Sequence, residues 1–424
     1  MDLKKIKEHS NNFYTYQSDK FGSIKIHFKF LVGDSKEDYV KNYILGAYLN
    51  KTNKKYKTLK EINDKKKELY GLGCSSYSST LGNKNILCID INLASATALE
   101  IDYFDEAIEF CKDLIFQPNF QDNKLDKDVL NEIKKDMINY QINDLKTPSV
   151  MQSRLLLKEL VPNSIIVKRL CYDIDELKEF LDKLTDQDII DFYNKTISSC
   201  IGGFAFGNLS NKEIDKIINT FKFNYIMLDN NYSTKLNLTE GEKEIVSKDT
   251  TQSYLYIAYD IKDYEIVDGY IKNSYIYNAL EGMLNIATGP LMETLRTKLG
   301  IVYHCYADIF SRYGFMIICA QIDKKNKAKA IEGIESALNE LRNRETCTKL
   351  LQYVKEKMNQ NYITCQDKIN YQIDEVGNKT FKTTKEFKDK VDKVNKLTVE
   401  DIEKQLDNLE KKFIYFYKGD KDEK

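Results

Sequence analysis

Apolar and polar residues alternate along Ser23-Ile-Lys-Ile-His-Phe-Lys-Phe30, the pattern of a half-buried strand. Ser253-Tyr-Leu-Tyr-Ile-Ala-Tyr-Asp260 takes the same place 230 positions later (253 − 23). Each strand leads into a long helical stretch, then a glycine hinge, then a pair of strands. The first hinge is Leu69-Tyr-Gly-Leu-Gly73, followed by strands at residues 74–77 and 86–93. The second is Glu293-Thr-Leu-Arg-Thr-Lys-Leu-Gly-Ile-Val-Tyr303, followed by strands at 302–309 and 314–322. Helical spacing then returns in both halves, at 104–115 and 129–137 and again at 328–338 and 354–358. Near each end Thr185 and Thr398 stand as N-caps, with Asp188 and Asp401 three positions on. A strand closes each half, at 203–208 and 413–420.

So many elements recurring in one order predict a duplicated architecture. The fold class is α+β, with two tandem homologous domains, each an antiparallel-rich sheet with helices packed on one face. The first domain is expected at residues 1–225, a polar linker at 226–245 and the second domain at 246–424. A length of 424 residues agrees with two or three domains.

Composition narrows the function classes. Hydrophobic residues make up 42% and charged residues 30%, as in soluble globular proteins. A net charge of −1 gives no global attraction to nucleic acid or an anionic membrane. Runs such as Lys65-Lys66-Lys67 read as solvated helix faces. No apolar run approaches the roughly 20 residues that span a bilayer, and the N-terminus has no apolar stretch behind its charges. Nine cysteines, an odd number without CxxC spacing, favour reduced thiols and a cytoplasmic location.

Arg296 at a helix end and Tyr303 at a strand start lie seven residues apart (303 − 296), so one hinge can aim a guanidinium and a phenol into one cavity. Only the second hinge carries this pair. Gly202-Gly203 is followed by no GKS or GKT and begins a strand, so no phosphate loop is expected. His304 alternates away from Tyr303 if the strand is regular. Cys305 and Cys319 could sit near each other on paired strands, though a disulfide is not expected.

The doubled order of elements resembles the pitrilysin/insulinase-type zinc peptidases, closest to short two-domain chains related to the mitochondrial processing peptidase. The resemblance covers nearly the whole chain. Its most specific patch is Gly289-Pro-Leu-Met-Glu-Thr-Leu-Arg-Thr-Lys-Leu-Gly-Ile-Val-Tyr303, similar to the family's second-domain motif of Arg, three residues, Gly, two residues, Tyr. A second patch is Thr251-Gln-Ser-Tyr-Leu255, similar to the strand that opens that domain. The resemblance implies a clam-shell of two domains. It further implies that Arg296 and Tyr303 bind substrate backbone and stabilise an oxyanion.

Active family members carry H-x-x-E-H on a first-domain helix, two histidines for zinc and a glutamate for the attacking water. The matching positions here are Ile44, Ala47 and Tyr48, and no register of the chain contains the motif. Only His9, His27 and His304 are present. Glu132 falls at the third-ligand position but has no imidazole partners. No metal, cofactor or catalytic residue of this chain's own is therefore expected. The resemblance implies a non-catalytic bacterial subunit, inactive alone, that binds peptide and pairs with a zinc-bearing homologue as a heterodimer. It is similar to metal-free chains of Gram-positive bacteria, including the group associated with elongation factor P modification. The alternative is a non-enzymatic peptide-binding or scaffold subunit of the same fold.

Overall fold

The computed structural model describes residues 6–9, 12–171, 173–227, 232–248, 250–383 and 385–421. The chain forms two compact units. Unit 1 comprises Met1–Lys146, Tyr172–Asn230 and Gln366–Phe381; unit 2 comprises Thr147–Cys171, Asn231–Cys365 and Lys382–Lys424. Neither unit is contiguous in sequence.

Unit 1 holds strands β1 (Lys7–His9), β2 (Phe13–Gln17), β3 (Ser23–Leu31), β4 (Gly73–Leu81), β5 (Lys84–Ala94) and β6 (Cys200–Gly207) in the spatial order β1-β2-β6-β3-β5-β4. All neighbours are antiparallel except β2 with β6. Unit 2 holds β7 (Gly241–Ser247) and β8 (Ser253–Ile261), a small ribbon of β9 (Ile266–Val267) and β10 (Tyr270–Ile271), then β11 (Val302–Phe310), β12 (Phe315–Ile322) and β13 (Leu409–Gly419). Its main sheet runs β11-β12-β8-β13-β7, again with one parallel pair, β13 with β7. Strand for strand, β2, β3, β4, β5 and β6 correspond to β7, β8, β11, β12 and β13. The duplication read from the sequence is thus present in the topology. The stretch expected as a linker contains the start of β7, an edge strand.

One face of each sheet carries the main core. In unit 1, Ile24, Ile26, Phe28 and Phe30 of β3 meet Leu87, Ile89 and Ile91 of β5 and the Phe104–Phe116 helix. In unit 2, Leu255, Ile257 and Tyr259 meet Met316, Ile318 and Ala320 and the Lys327–Glu340 helix. Both Thr185 and Thr398 cap their helices with a closed capping box, as expected.

Helices do not lie on one face only. The helices Pro148–Leu160 and Ile165–Leu170, from the first half of the chain, belong to unit 2 and cover its second face. Their Leu156, Leu157, Leu160 and Ile166 pack on Tyr254, Tyr256, Phe315, Ile317, Phe413 and Tyr415. Reciprocally, the Ile369–Thr380 helix of the second half belongs to unit 1 and packs on β3 and β6. The cause is that the sheets bury both faces. Tyr254 and Tyr256 alternate with Leu255 and Ile257, so either face of β8 needs apolar cover.

In unit 1 the covered second face sets buried polar groups beside the aromatic Phe204. Lys25 and His27, expected on a half-exposed strand, are buried. Asp90 of β5 takes the Lys25 ammonium at 2.9 Å, the His27 Nδ1–H, and the Tyr77 phenol at 3.3 Å. Lys25 also donates to Asn370 of the Ile369–Thr380 helix at 2.8 Å. Burial lowers the His27 pKa, which keeps the ring neutral. Burial pushes the Asp90 carboxyl up, but the hydrogen bonds from His27 and Lys25 and the Lys25 charge outweigh it and bring it down to about 2. Among the described residues no helix is long and apolar enough to cross a membrane.

Candidate functional site

Arg296 lies in a single π-helical turn, Glu293–Lys298, where the Leu299 N–H reaches back to the Thr294 carbonyl at 3.1 Å. Such turns widen a helix by one residue and recur at functional sites. Leu295 fixes the turn: it is fully buried and fills the space that a side chain at Gly333 would need, 2.6 Å from its Cδ2. The turn ends at Gly300, whose φ of +62° lies in the left-handed region. No atom lies near enough to hinder a Cβ there, so conformation rather than space selects glycine. Gly71 of unit 1 repeats this with φ +77°. At matching steps from that glycine stand Lys67 and Cys74, so unit 1 has the hinge without the pair.

Tyr303 sits in a β-bulge. Val302 pairs with Ile322 and His304 with Gln321, which leaves Tyr303 as the extra residue of β11. The bulge breaks alternation, so Tyr303 and His304 are both exposed, not on opposite faces as a regular strand would place them. His304 packs beside Tyr306, ring centroids 5.5 Å apart. The backbone freed by the bulge matters too: the Tyr303 carbonyl accepts from Arg296 Nη1 at 3.2 Å. The Tyr303 phenol donates to Asp323 Oδ1 at 3.4 Å. Arg296 and Tyr303 are therefore brought together, both exposed, both on long hydrogen bonds.

Tyr303 borders a recess of about 450 Å³ with Thr251, Asp323 and Gly419. Gln252, next to Thr251, donates to the Ile322 carbonyl at 3.0 Å, and Ser253 Oγ accepts the Gly419 N–H at 3.1 Å. The two stretches singled out in the sequence, 251–255 and 289–303, thus contribute to the same recess. Sequence reading missed Asp323 and the recess itself, because a bulge has no compositional signal.

The positions of the lost zinc motif lie on the Lys36–Lys51 helix. Ile44 is fully buried and offers no donor. Ala47 offers none either. Tyr48 is buried, its phenol donating to the Asn119 carbonyl at 2.9 Å and accepting the Asp126 N–H at 2.8 Å, and burial pushes its pKa up to about 12. Glu132 is exposed and bound by Lys51 at 2.8 Å, with Asp136 3.5 Å from the same ammonium. Burial works against that ammonium, but the two carboxylates raise its pKa overall. A lysine charge therefore stands against the carboxylate that resembles a third ligand. This donor set does not fit zinc. Among the described residues no group of three His, Cys, Asp or Glu side chains could hold a metal.

Other candidates resolve structurally. Cys305 pairs with Ala320 and Cys319 with Tyr306, which puts the two thiols on opposite faces of the sheet rather than near each other. Burial pushes the Cys305 thiol up to about 11 despite the charge of Arg296, so it is no nucleophile at neutral pH. Gly202 and Gly203 lie inside β6, where added side chains would strike Phe381 at 2.7 Å and Phe13 at 2.6 Å.

Residues 183–358 match the family described as "Peptidase M16 inactive domain". No curated protein sequence matches the chain. Solved structures resemble it over nearly its full length. A conserved protein from Enterococcus faecalis V583 has a TM-score of 0.85 at 18% identity, covering 99% of this chain and 100% of that one. A peptidase M16 inactive domain from Pseudomonas fluorescens has a TM-score of 0.74 at 15% identity, covering 99% of each chain. A protease from Helicobacter pylori has a TM-score of 0.72 at 15% identity, covering 97% of this chain and 98% of that one. At these identities the structures establish the shared fold alone. Residues 183–358 are thus similar to the M16 inactive domain, and the chain as a whole shares its fold with these structures.

Proposed function

We propose that this chain is the metal-free subunit of a two-subunit bacterial zinc peptidase, binding an extended peptide and donating hydrogen bonds from Arg296 and Tyr303 to the oxyanion. The observation that carries this reading is the joint distortion of helix and strand. A π-turn and a bulge, side by side in unit 2, present a guanidinium and a phenol at one exposed edge. Irregular backbone of this kind costs stability, and its clustering points to use. In contrast, the helix that resembles the zinc helix is filled by Ile44, Ala47 and Tyr48.

Arginine brings a fixed fork of donors and tyrosine one neutral O–H. A donor aimed at a developing oxyanion contributes roughly 2.7–4 kcal/mol. The present partners, a backbone carbonyl at 3.2 Å and a carboxylate at 3.4 Å, are long bonds that such an anion would displace. A partner bearing H-x-x-E-H would supply the activated water. All nine cysteines are free thiols, which supports a reducing, cytoplasmic setting.

The test is to purify the chain alone, a zinc-bearing homologue alone and the two together, and to assay a peptide library. Cleavage only in the mixture, with no stoichiometric zinc in the isolated chain, supports the reading. Stable association without cleavage of any peptide would replace it with the scaffold reading.

A further inference from the structure

We propose that the recess beside Tyr303 is a selectivity pocket for an acidic side chain, so that the peptides this chain receives carry aspartate or glutamate. The proposal rests on the reading that peptide binds at Arg296 and Tyr303. It extends that reading to the class of substrate.

The argument is one of charge left over. Besides Tyr303 and Asp323, the recess is lined by Lys324, Lys325 and Lys421. Lys324 is balanced by Asp420 at 2.6 Å, while Asp323 keeps its negative charge beneath the neutral Tyr303 phenol. Lys325 and Lys421 remain, both exposed, and among the described residues neither has a carboxylate within ion-pair distance. Several neighbouring lysines of unit 2 are paired. Lys327, two residues from Lys325, carries both Glu242 at 2.5 Å and Glu244 at 3.0 Å, and Lys411 and Lys412 are each paired with glutamate. On a molecule of net charge −1, Lys325 and Lys421 against Asp323 leave one positive charge in excess at this concavity, a local field that favours an anion.

The two lysines stand on ordered backbone. Lys325 lies in the short turn Lys324–Asn326, closed by the Asn326 N–H on the Asp323 carbonyl at 2.9 Å. Lys421 is tied by its N–H to the Thr250 carbonyl at 3.1 Å, and Asp420 by its N–H to Ser247 at 2.7 Å. Between them Gly419 passes so close that a Cβ would meet the Gln252 carbonyl oxygen at 2.5 Å. The wall is therefore backbone, and Thr251 adds a hydroxyl at the rim. A recess of about 450 Å³ takes one or two side chains, within the range of small-ligand pockets. A peptide carboxylate fits better than nucleic acid, because the net charge of −1 gives no global attraction to a polyanion and Tyr303 borders the recess.

The probes are two fluorescent decapeptides of one sequence, one with glutamates and one with glutamines at the same positions, with binding read by anisotropy. The Glu peptide should bind the wild-type chain about tenfold more tightly, from two exposed pairs of modest strength. That margin should shrink at 0.5 M salt, where screening is within about 4–5 Å. The double variant Lys325→Glu, Lys421→Glu should abolish or invert the preference, and Lys222→Glu on unit 1 should leave it intact. Equal affinity of the two peptides for the wild type, or an unchanged preference in the double variant, overturns the proposal. Its fate is separable from that of the peptidase reading. A Glu preference in a chain that never supports cleavage would keep the pocket and remove the reading; cleavage without any Glu preference would do the reverse.

Discussion

Asp90 gives the sharpest test of how unit 1 is held together. Its carboxylate receives Lys25 at 2.9 Å, Tyr77 at 3.3 Å and the His27 ring, with the Lys25 and Asp90 side chains only 11% and 12% exposed. Asp90→Ala leaves the Lys25 ammonium buried with one neutral acceptor, Asn370, at 2.8 Å. Breaking a buried pair from one side costs about 3–5 kcal/mol, much of it the stranded charge. Lys25→Met together with Asp90→Ala removes that stranded charge, so the double variant should be less destabilised than the two single losses added. The cycle should give a coupling of about 1–3 kcal/mol. Urea unfolding followed by circular dichroism measures it, and hydrogen exchange localises it. Amides of the Ile369–Thr380 helix should lose protection first, because Lys25 is one of the groups holding that helix. Additivity within about 0.5 kcal/mol, or a single variant as stable as wild type, would refute a charged clasp on this face.

Three further outcomes follow. Stability of unit 1 should fall as pH drops. The folded-state His27 pKa lies below its ordinary value, so below about 6.5 the unfolded chain takes up a proton that the folded chain refuses. Asp90, at about 2 when folded, contributes stability above its ordinary value of 3.8 and loses it as pH falls toward 2, an effect of roughly 2 kcal/mol measurable by unfolding across that range. Gly300→Ala should cost about 1 kcal/mol in thermal unfolding, from the left-handed backbone alone, since a Cβ meets nothing there. Gly333→Ala should cost about 1–3 kcal/mol and shift the π-turn, because its Cβ would meet Leu295 at 2.6 Å, and the loss should appear in cleavage by the mixture as well as in stability.

The repeat was legible because each pairing, β3 with β8 or β6 with β13, keeps its own apolar period. The caps at Thr185 and Thr398 were legible because a hydroxyl followed by an acid three residues on has one common structural meaning. The proximity of Arg296 and Tyr303 could be read from their spacing about Gly300, although the bulge and the π-turn that bring it about could not. Both distortions insert one residue into a regular element, and regular periodicity is what sequence reading assumes. The exchange of residues 147–171 and 366–381 between units also escaped notice. Its trace was present: Phe413-Ile-Tyr-Phe-Tyr417 is apolar on both faces, which asks for cover on both. Lys25 and His27 misled in the opposite sense, because alternation with lysine reads as solvent exposure when an acid on the next strand is unseen.

The most direct measurement is the turnover of a fixed amount of zinc-bearing homologue titrated with this chain. The rate should saturate at one chain per partner. Arg296→Ala and Tyr303→Phe should still saturate at that ratio, with kcat lowered about 100-fold or more, as for loss of an oxyanion donor. Variants that saturate with unchanged kcat would contradict the account, since the pair would then hold the fold and nothing else.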